Sequence, residues 1–325
     1  MKKLLSLPSI FYFAVLLLSN YQLRAGDDPK IEKTKAYSKS YSISGSDKIS
    51  IENQFGEVLI KTWDKNEVKM EVTIIATSNT EERAQEILDR ISIEDSKNSK
   101  GVSFKTNMKN DKKKNDKKNY KEEKMKVNCQ VYMPASNPLT LSNQFGATNV
   151  PDMKGLVDIT SKFGSLTTGI LSNVKMVTVE FGVATIESIS NGSLIIKFSR
   201  AIINKLDGSV DAAFEHSSGV KLGVENSIKE LRVTSAFSTL YLDTNKDLGA
   251  TYEINTSFGG LSNKTGFDIK ESVRRDNKKP NFSHSYSGKS GNGSAAMKIS
   301  VSFSQITVGH NLNMELKDDK KKKVI

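Results

Sequence analysis

Few side chains in this sequence are able to do covalent or metal chemistry, and their spacing does not group them. The three histidines, His216, His284 and His310, stand far apart. None falls in an H-x-x-x-H spacing that would put two imidazoles on one helix face for zinc. The single cysteine, Cys129, can form neither a zinc ribbon nor an intramolecular disulfide. It alternates with Val127 and Val131, as a buried strand residue does. A Cys–His nucleophile pair would carry a local signature, and Cys129 has none. No G-x-S-x-G elbow is present. Gly288 to Ser290 matches the end of a phosphate loop but lacks its other glycines and its strand–loop–helix setting. Polysaccharide cleavage would need paired carboxylates or a calcium-binding acid cluster. The acids Glu180, Glu187, Asp207, Asp211, Glu215 and Glu225 do not recur at one offset of the repeat described below. Sugar stacking would need open aromatic rings, but Trp63 is the one tryptophan. No catalytic, cofactor-binding or metal-binding residue is therefore assigned, no cofactor is implied, and the chain reads as non-enzymatic.

The net charge of +11 suggests an acidic partner until it is located. Residues 1–25 contribute +3, from Lys2, Lys3 and Arg24 with no acid. Lys109 to Lys126 holds nine Lys and four acids, a surplus of +5. Lys317 to Ile325 holds five Lys and two Asp, a surplus of +3. The remainder is neutral. Charge runs of this kind read first as solvated loops or tails. Their second use is peripheral contact with anionic surfaces such as lipid head groups or acidic glycans. Nucleic acid is not expected, because the basic runs lack interleaved aromatics.

The first residues read as a secretory signal peptide over 1–25. A basic start is followed by the apolar stretch Leu4 to Leu18 and by a small residue, Ala25. Export to the periplasm, the outer membrane or the exterior is the expectation.

The elements come from a repeat, marked by a phenylalanine that Gly or Ser usually follows. The copies stand at Phe55, Phe145, Phe163, Phe181, Phe198, Phe214, Phe237, Phe258 and Phe303. From Phe145 to Phe258 the spacings are 18, 18, 17, 16, 23 and 21. An aliphatic residue stands four before each, as in Ile51, Leu141, Ile159, Val177 and Leu194. Apolar residues recur three and five after it, as in Val58 and Ile60 or Ala184 and Ile186. Side chains alternate along a strand, so offsets −4, −2 and 0 share a face. Offsets +3 and +5 are out of phase with them, which requires a corner just after the Phe. Glycine at +1 suits that corner. Stacking such units builds a β-solenoid with the Phe rings laddered inside. Phe214, followed by Glu215-His216-Ser217-Ser218-Gly219, is the weakest copy and predicts a bulge or distorted coil.

This reading divides the chain. Residues 26–40 are a polar, loosely ordered leader. Residues 41–138 form a β-rich cap with strands near Tyr41 to Ile43, Lys48 to Ile51, Glu57 to Trp63 and Val68 to Ile75. The cap has one helix over Thr80 to Ile91, capped by Thr80, and a Lys-rich loop at 109–126. Further strands are expected near Val102 to Lys105 and Val127 to Met133. Residues 139–312 hold the repeats, with a polar excursion at 272–294 before a last coil near Met297 to Val308. Residues 313–325 are a basic tail.

The segment Lys48-Ile49-Ser50-Ile51-Glu52-Asn53-Gln54-Phe55-Gly56-Glu57-Val58, followed by Thr62-Trp63-Asp64 and by Val68 to Val72, resembles the bacterial adhesin-type families of exported β-solenoid proteins of uncharacterised function. The helix-bearing insert, Val131-Tyr132-Met133-Pro134 and the later Asn-Gln-Phe-Gly and Ser-Phe-Gly-Gly copies fit the same pattern. The resemblance implies an exported protein with a right-handed parallel β-helix, and no catalytic residues. The functional expectation is an adhesin or interaction scaffold of the envelope, meeting an unidentified envelope component, glycan or protein. A carbohydrate-binding or carbohydrate-active β-helix is the alternative.

Overall fold

A computed structural model describes residues 30–109, 123–272 and 282–314. The expected signal peptide lies outside them, as do 110–122 of the Lys-rich loop, 273–281 of the excursion and 315–325 of the tail. The described chain is nearly all β, with one helix. The strands β1 (Ile31–Ser42), β2 (Lys48–Gln54), β3 (Val58–Thr62) and β4 (Glu67–Ser78) precede α1 (Glu81–Asp89). Next come β5 (Ile91–Asn98), β6 (Gly101–Met108) and β7 (Lys124–Met133). The middle holds β8 (Leu139–Gln144), β9 (Thr148–Val150), β10 (Met153–Lys162), β11 (Ser165–Glu180), β12 (Val183–Lys197), β13 (Arg200–Glu215), β14 (Gly219–Ala236) and β15 (Thr239–Thr244). The chain ends in β16 (Ala250–Ser257), β17 (Gly260–Asn263), β18 (Asp268–Glu271), β19 (Ser283–Ser290), β20 (Ala295–Ser302) and β21 (Gln305–Gly309).

Parallel pairing in repeat register runs through the middle. Ile159 of β10 lies between Leu141 of β8 and Val177 of β11, and Val177 pairs on to Leu194 of β12. Past each corner Leu166 pairs with Thr148 and with Ala184, and Ala184 with Ala201. These aliphatic residues are fully buried, so every rung closes the core of the one before it.

The sheet is mixed, however, which departs from the wholly parallel β-helix expected. At the N-terminal end β4 runs antiparallel to β1 and β7, and β5 to β6. At the C-terminal end β19 runs antiparallel to β16 and β18. A stack of parallel rungs ends in open backbone edges, and hairpins folded against those edges satisfy them. The expected loose leader is also corrected, since its residues from Ile31 to Ser40 belong to the twelve-residue strand β1. Tyr37 and Tyr41 pack that strand on the core, and both hydroxyls donate to the Asp95 carboxylate.

The last rung is not last in the stack. The strand β20 pairs on one side with β14 and on the other with β16, and β21 lies between β15 and β17. The chain makes the outer rung first, turns through β18 and β19, and then inserts its final rung inside. The Gly288–Ser290 tripeptide is part of β19, paired with Tyr252 to Ala250.

The helix is the expected one. Thr80 accepts from the Arg83 amide (3.2 Å), and Ala84, Ile87 and Leu88 are buried against β1 and β4. Ile91, expected to close the helix, instead opens β5, because Arg90 already caps it.

Candidate functional site: an aromatic ridge at the corners

The corner residue of each rung is the aromatic residue itself, not the glycine after it. Phe55, Phe145, Phe163, Phe181, Phe198, His216, Phe237, Phe258 and Phe303 have φ between 49° and 65°. This left-handed conformation costs a non-glycine residue about 1–2 kcal/mol. It also swings the side chain off the inner face. The expectation that the rings ladder through the interior is therefore corrected: they stack along the outside. Offsets −4 and −2 stay inside, and +3 and +5 return inside, as the phase shift required.

The residue after each ring is packed so closely that it has little or no side chain. A Cβ on Gly146 would meet the Gly56 carbonyl oxygen at 1.8 Å, and one on Gly164 the Gly146 oxygen at 2.0 Å. After Phe198, His216, Phe237 and Phe303 the residue is serine, and after Phe258 it is glycine again, where a Cβ would meet the Ser304 carbonyl oxygen at 1.8 Å. Ser199 Oγ donates to the Lys197 carbonyl (2.6 Å) and accepts from the Gly182 amide (3.0 Å). Ser217, Ser238 and Ser304 repeat the donation to the carbonyl two residues back, and the Ser217 and Ser238 amides donate to the next hydroxyl up.

The rings stack in the order Phe55, Phe145, Phe163, Phe181, Phe198, His216, Phe237, Phe303, Phe258 and Phe282. Centroids are 4.8–5.3 Å apart and the planes lie within 13° of parallel. Nine steps at the strand spacing of ~4.8 Å make a ridge roughly 43 Å long. Eight of these phenylalanines are 46–56% exposed. At ~200 Å² per ring residue they offer on the order of 800 Å² of apolar surface, above the few hundred usual for one patch. Neighbours cover the ring faces, so what meets solvent is a row of ring edges.

Phe214 is not a ladder member. It is fully buried, two residues before the corner, and His216 takes the ladder place. The strand β13 runs two residues further before turning, so Leu194 pairs with Ala212 rather than Val210, and the irregularity expected at Phe214 falls earlier on the strand, as register shifts between Ile203 and Val210. Because the site is shaped for Phe, His216→Phe is expected to raise stability by about 0.5–1.5 kcal/mol through two better ring contacts. A lowered melting temperature would count against this assignment.

One row back from the ridge, Lys162, Glu180, Lys197 and Glu215 stand in register on adjacent strands. Lys162 pairs with Glu180 (2.9 Å) and Lys197 with Glu215 (3.0 Å). Three of the other four acids singled out in the sequence are also engaged. Asn204 and Lys205 hold Glu187 below the usual carboxylate range. Asp207 accepts from Ser190 Oγ and Asp211 meets Arg232. Glu225 is half-buried on β14. The structure brings these six acids to no common point, and among the described residues no three His, Cys, Asp or Glu side chains gather for a metal.

His284 contacts Glu271 (2.6 Å), and His310 Nδ1 meets the Thr244 carbonyl (2.7 Å), each far from the other and from His216 along the chain. Trp63 stacks on Tyr132, and Lys65 lies over its ring. Cys129 is buried on β7, 3.4 Å from Asn53 Oδ1. Asn53 also bonds Asn143 and Thr106, a buried polar joint between the first rungs. Burial pushes the Cys129 thiol up to about 12. Folding favours the neutral thiol, so its contribution to stability is complete below the unfolded value near 9 and fades as pH rises toward 12. Native protein at pH 8 is expected not to react with a thiol reagent, and denatured protein to release one equivalent. Rapid native labelling would contradict this burial.

The fold and ridge define a mixed, nearly all-β protein with an exposed aromatic edge. Among the described residues no helix is long and apolar enough to cross a membrane. No family model matches the chain, and no curated protein matches it. Solved structures do. A Clostridium sporogenes protein named as a candidate for cell adhesion aligns with 86% of this chain and 100% of its own, at 14% identity and TM-score 0.28. A candidate adhesin of Bacteroides fragilis covers 84% and 97%, at 9% identity and TM-score 0.41. A candidate lipid binding protein of Parabacteroides distasonis covers 84% and 96%, at 8% identity and TM-score 0.32.

Proposed function

We propose that the chain is an exported, non-enzymatic interaction protein of the cell envelope or surface. Its stacked parallel rungs act as a solenoid scaffold, closed at both ends by antiparallel hairpins, that holds the aromatic ridge out to a partner. The observation that carries this reading is the ridge itself: aromatic rings in a costly backbone conformation, half exposed, in one unbroken line. The carbohydrate alternative draws less support, because sugars stack on ring faces, which here are covered, and the candidate acids are separate. The test uses residues 26–325, presented to envelope extracts and glycan arrays. Binding is expected, and it should be lost in the triple variant Phe163→Asn/Phe181→Asn/Phe198→Asn, since asparagine tolerates the left-handed corner. Thr185→Asn, on the outer face of β12 away from the ridge, should leave it intact. Binding that ignores the ridge variant would overturn the proposal, and polysaccharide turnover would overturn its non-enzymatic part.

A further inference from the structure

We infer that the ridge is the seat of a symmetric dimer, in which a second copy of this chain lies along it with the two ridges antiparallel. This rests on the interaction reading above and names the partner. The first argument is charge. In the row behind the rings, Lys162, Glu180, Lys197 and Glu215 stand in register on successive strands and are partly exposed. The row is neutral on either side of them, at Gln144 and Ala236. Read in one direction the four charges run plus, minus, plus, minus, and in the other minus, plus, minus, plus. A two-fold axis that lies in the contact plane and crosses the ridge at right angles sets this row against its own reverse. Lys162 then faces Glu215 of the second copy, and Glu180 faces Lys197 of the second copy. Each carboxylate already meets one lysine of its own chain and has lone pairs for another. Gln144 falls opposite Ala236, so none of the four charges faces a like one. On the far side of the rings, two residues past the corner, the same axis sets Val183 against Arg200 and Ser165 against Ser218, again with no like charges.

The second argument is shape. A partner that covers the ridge needs apolar groups at the ridge's own step of ~4.8 Å. A second copy has that step by construction, so a contact that fits at one rung fits at all. The axis passes between Phe181 and Phe198, which then face each other across the interface. It sets Phe163 against His216, Phe145 against Phe237 and Phe55 against Phe303, following the stacking order of the ladder. Phe145, Phe163, Phe181, Phe198, Phe237 and Phe303 lie within this overlap and are each about half exposed. At ~100 Å² of exposed area each they offer roughly 600 Å² per copy, and the charged row adds to it. A stable dimer of standard size covers ~800 Å² per partner. An apolar, aromatic centre with a polar rim is the composition such interfaces have. A two-fold contact of this kind is self-complementary and closed, so assembly stops at two copies.

The experiment is sedimentation equilibrium of residues 26–325. A dimer is expected, with a dissociation constant of about 1 μM or below. In Phe163→Asn/Phe181→Asn/Phe198→Asn that constant should rise about a hundredfold or more, as three ring edges per copy leave the interface, with circular dichroism unchanged. A charge exchange tests the antiparallel arrangement without touching the rings. Glu180→Lys alone puts a lysine against Lys197 of the second copy, and Lys197→Glu alone puts a glutamate against Glu180 of the second copy. Each variant by itself should dimerise about tenfold more weakly. Mixed in equal amounts, the two variants meet with every facing pair opposite in charge, and should form a heterodimer as tight as the wild-type dimer. Wild-type protein that stays monomeric up to about 100 μM overturns the inference, as does a ridge variant that dimerises as well as wild type or a pair of charge variants that do not recover on mixing. Ridge-dependent binding of a monomeric chain to an envelope extract or glycan array would then leave the interaction proposal standing, and loss of that binding as well would end both.

Discussion

Phe214→Ala is expected to cost about 3–5 kcal/mol, as truncation of a fully buried ring does. Phe181→Asn, only thirty-three residues earlier and at what the spacing marks as the same place in the repeat, should cost no more than about 2 kcal/mol. The difference follows from which way each side chain faces. Phe214 is 1% exposed and lies in the core between Ile196 and Ser235 of the adjacent rungs, so its loss leaves a cavity. Phe181 is 47% exposed, and its loss removes two ring stacks worth about 0.5–1.5 kcal/mol each. Asparagine returns part of that, because it adopts the left-handed corner with less strain than phenylalanine. Denaturant midpoints at constant slope measure both. Equal losses would mean that the ladder lies inside the core after all.

That contrast also marks where sequence reasoning stopped. The period-two runs, the Thr80 cap and the out-of-phase apolar pairs were legible, because each is local and each follows from side-chain direction. The pattern alone puts the corner one residue late, on the glycine rather than the ring. Phenylalanine seldom takes a positive φ, and a glycine beside it offers an easier turn. With the turn assigned to Gly56 or Gly164, the rings fell to the inside. Phe214 matches the repeat by residue type alone, although its side chain belongs to the core. The better signal was the serine after the ring: Ser199, Ser217, Ser238 and Ser304 all bond back to the carbonyl two residues before, and Ser217 points to His216. The insertion of β20 between β14 and β16 left no local trace, since Val233, Ile254 and Ile299 are equally apolar and any of their pairings would bury them. The candidate site was therefore visible as a spacing but not as a surface. The side of the sheet it occupies depends on one dihedral angle per rung.

The residue after that dihedral sets the second large effect. Gly164→Ala is expected to cost more than about 4 kcal/mol, in the range reserved for broken backbone packing. The added Cβ would stand 2.0 Å from the Gly146 carbonyl oxygen and 2.8 Å from its carbonyl carbon. Neither atom is the end of a side chain that could swing away. Relief requires the two rungs to part by about 1 Å or more, since ordinary carbon–oxygen contacts begin above 3 Å. Parting them there strains the Phe145 amide bond to the Lys162 carbonyl (2.9 Å) and opens the ring stack between Phe145 and Phe163 (4.9 Å). The damage passes to neighbours, because each rung is stabilised chiefly by the rungs it touches. A melting temperature lower by roughly 8–16 °C is expected. Gly45→Ala is the matching control: nothing lies within 4 Å of its Cβ, and its effect should stay within about 0.5 kcal/mol. If the two variants melt together, close packing at the corner is not what holds the rings in line, and the ridge would have to owe its straightness to the stacking of the rings alone.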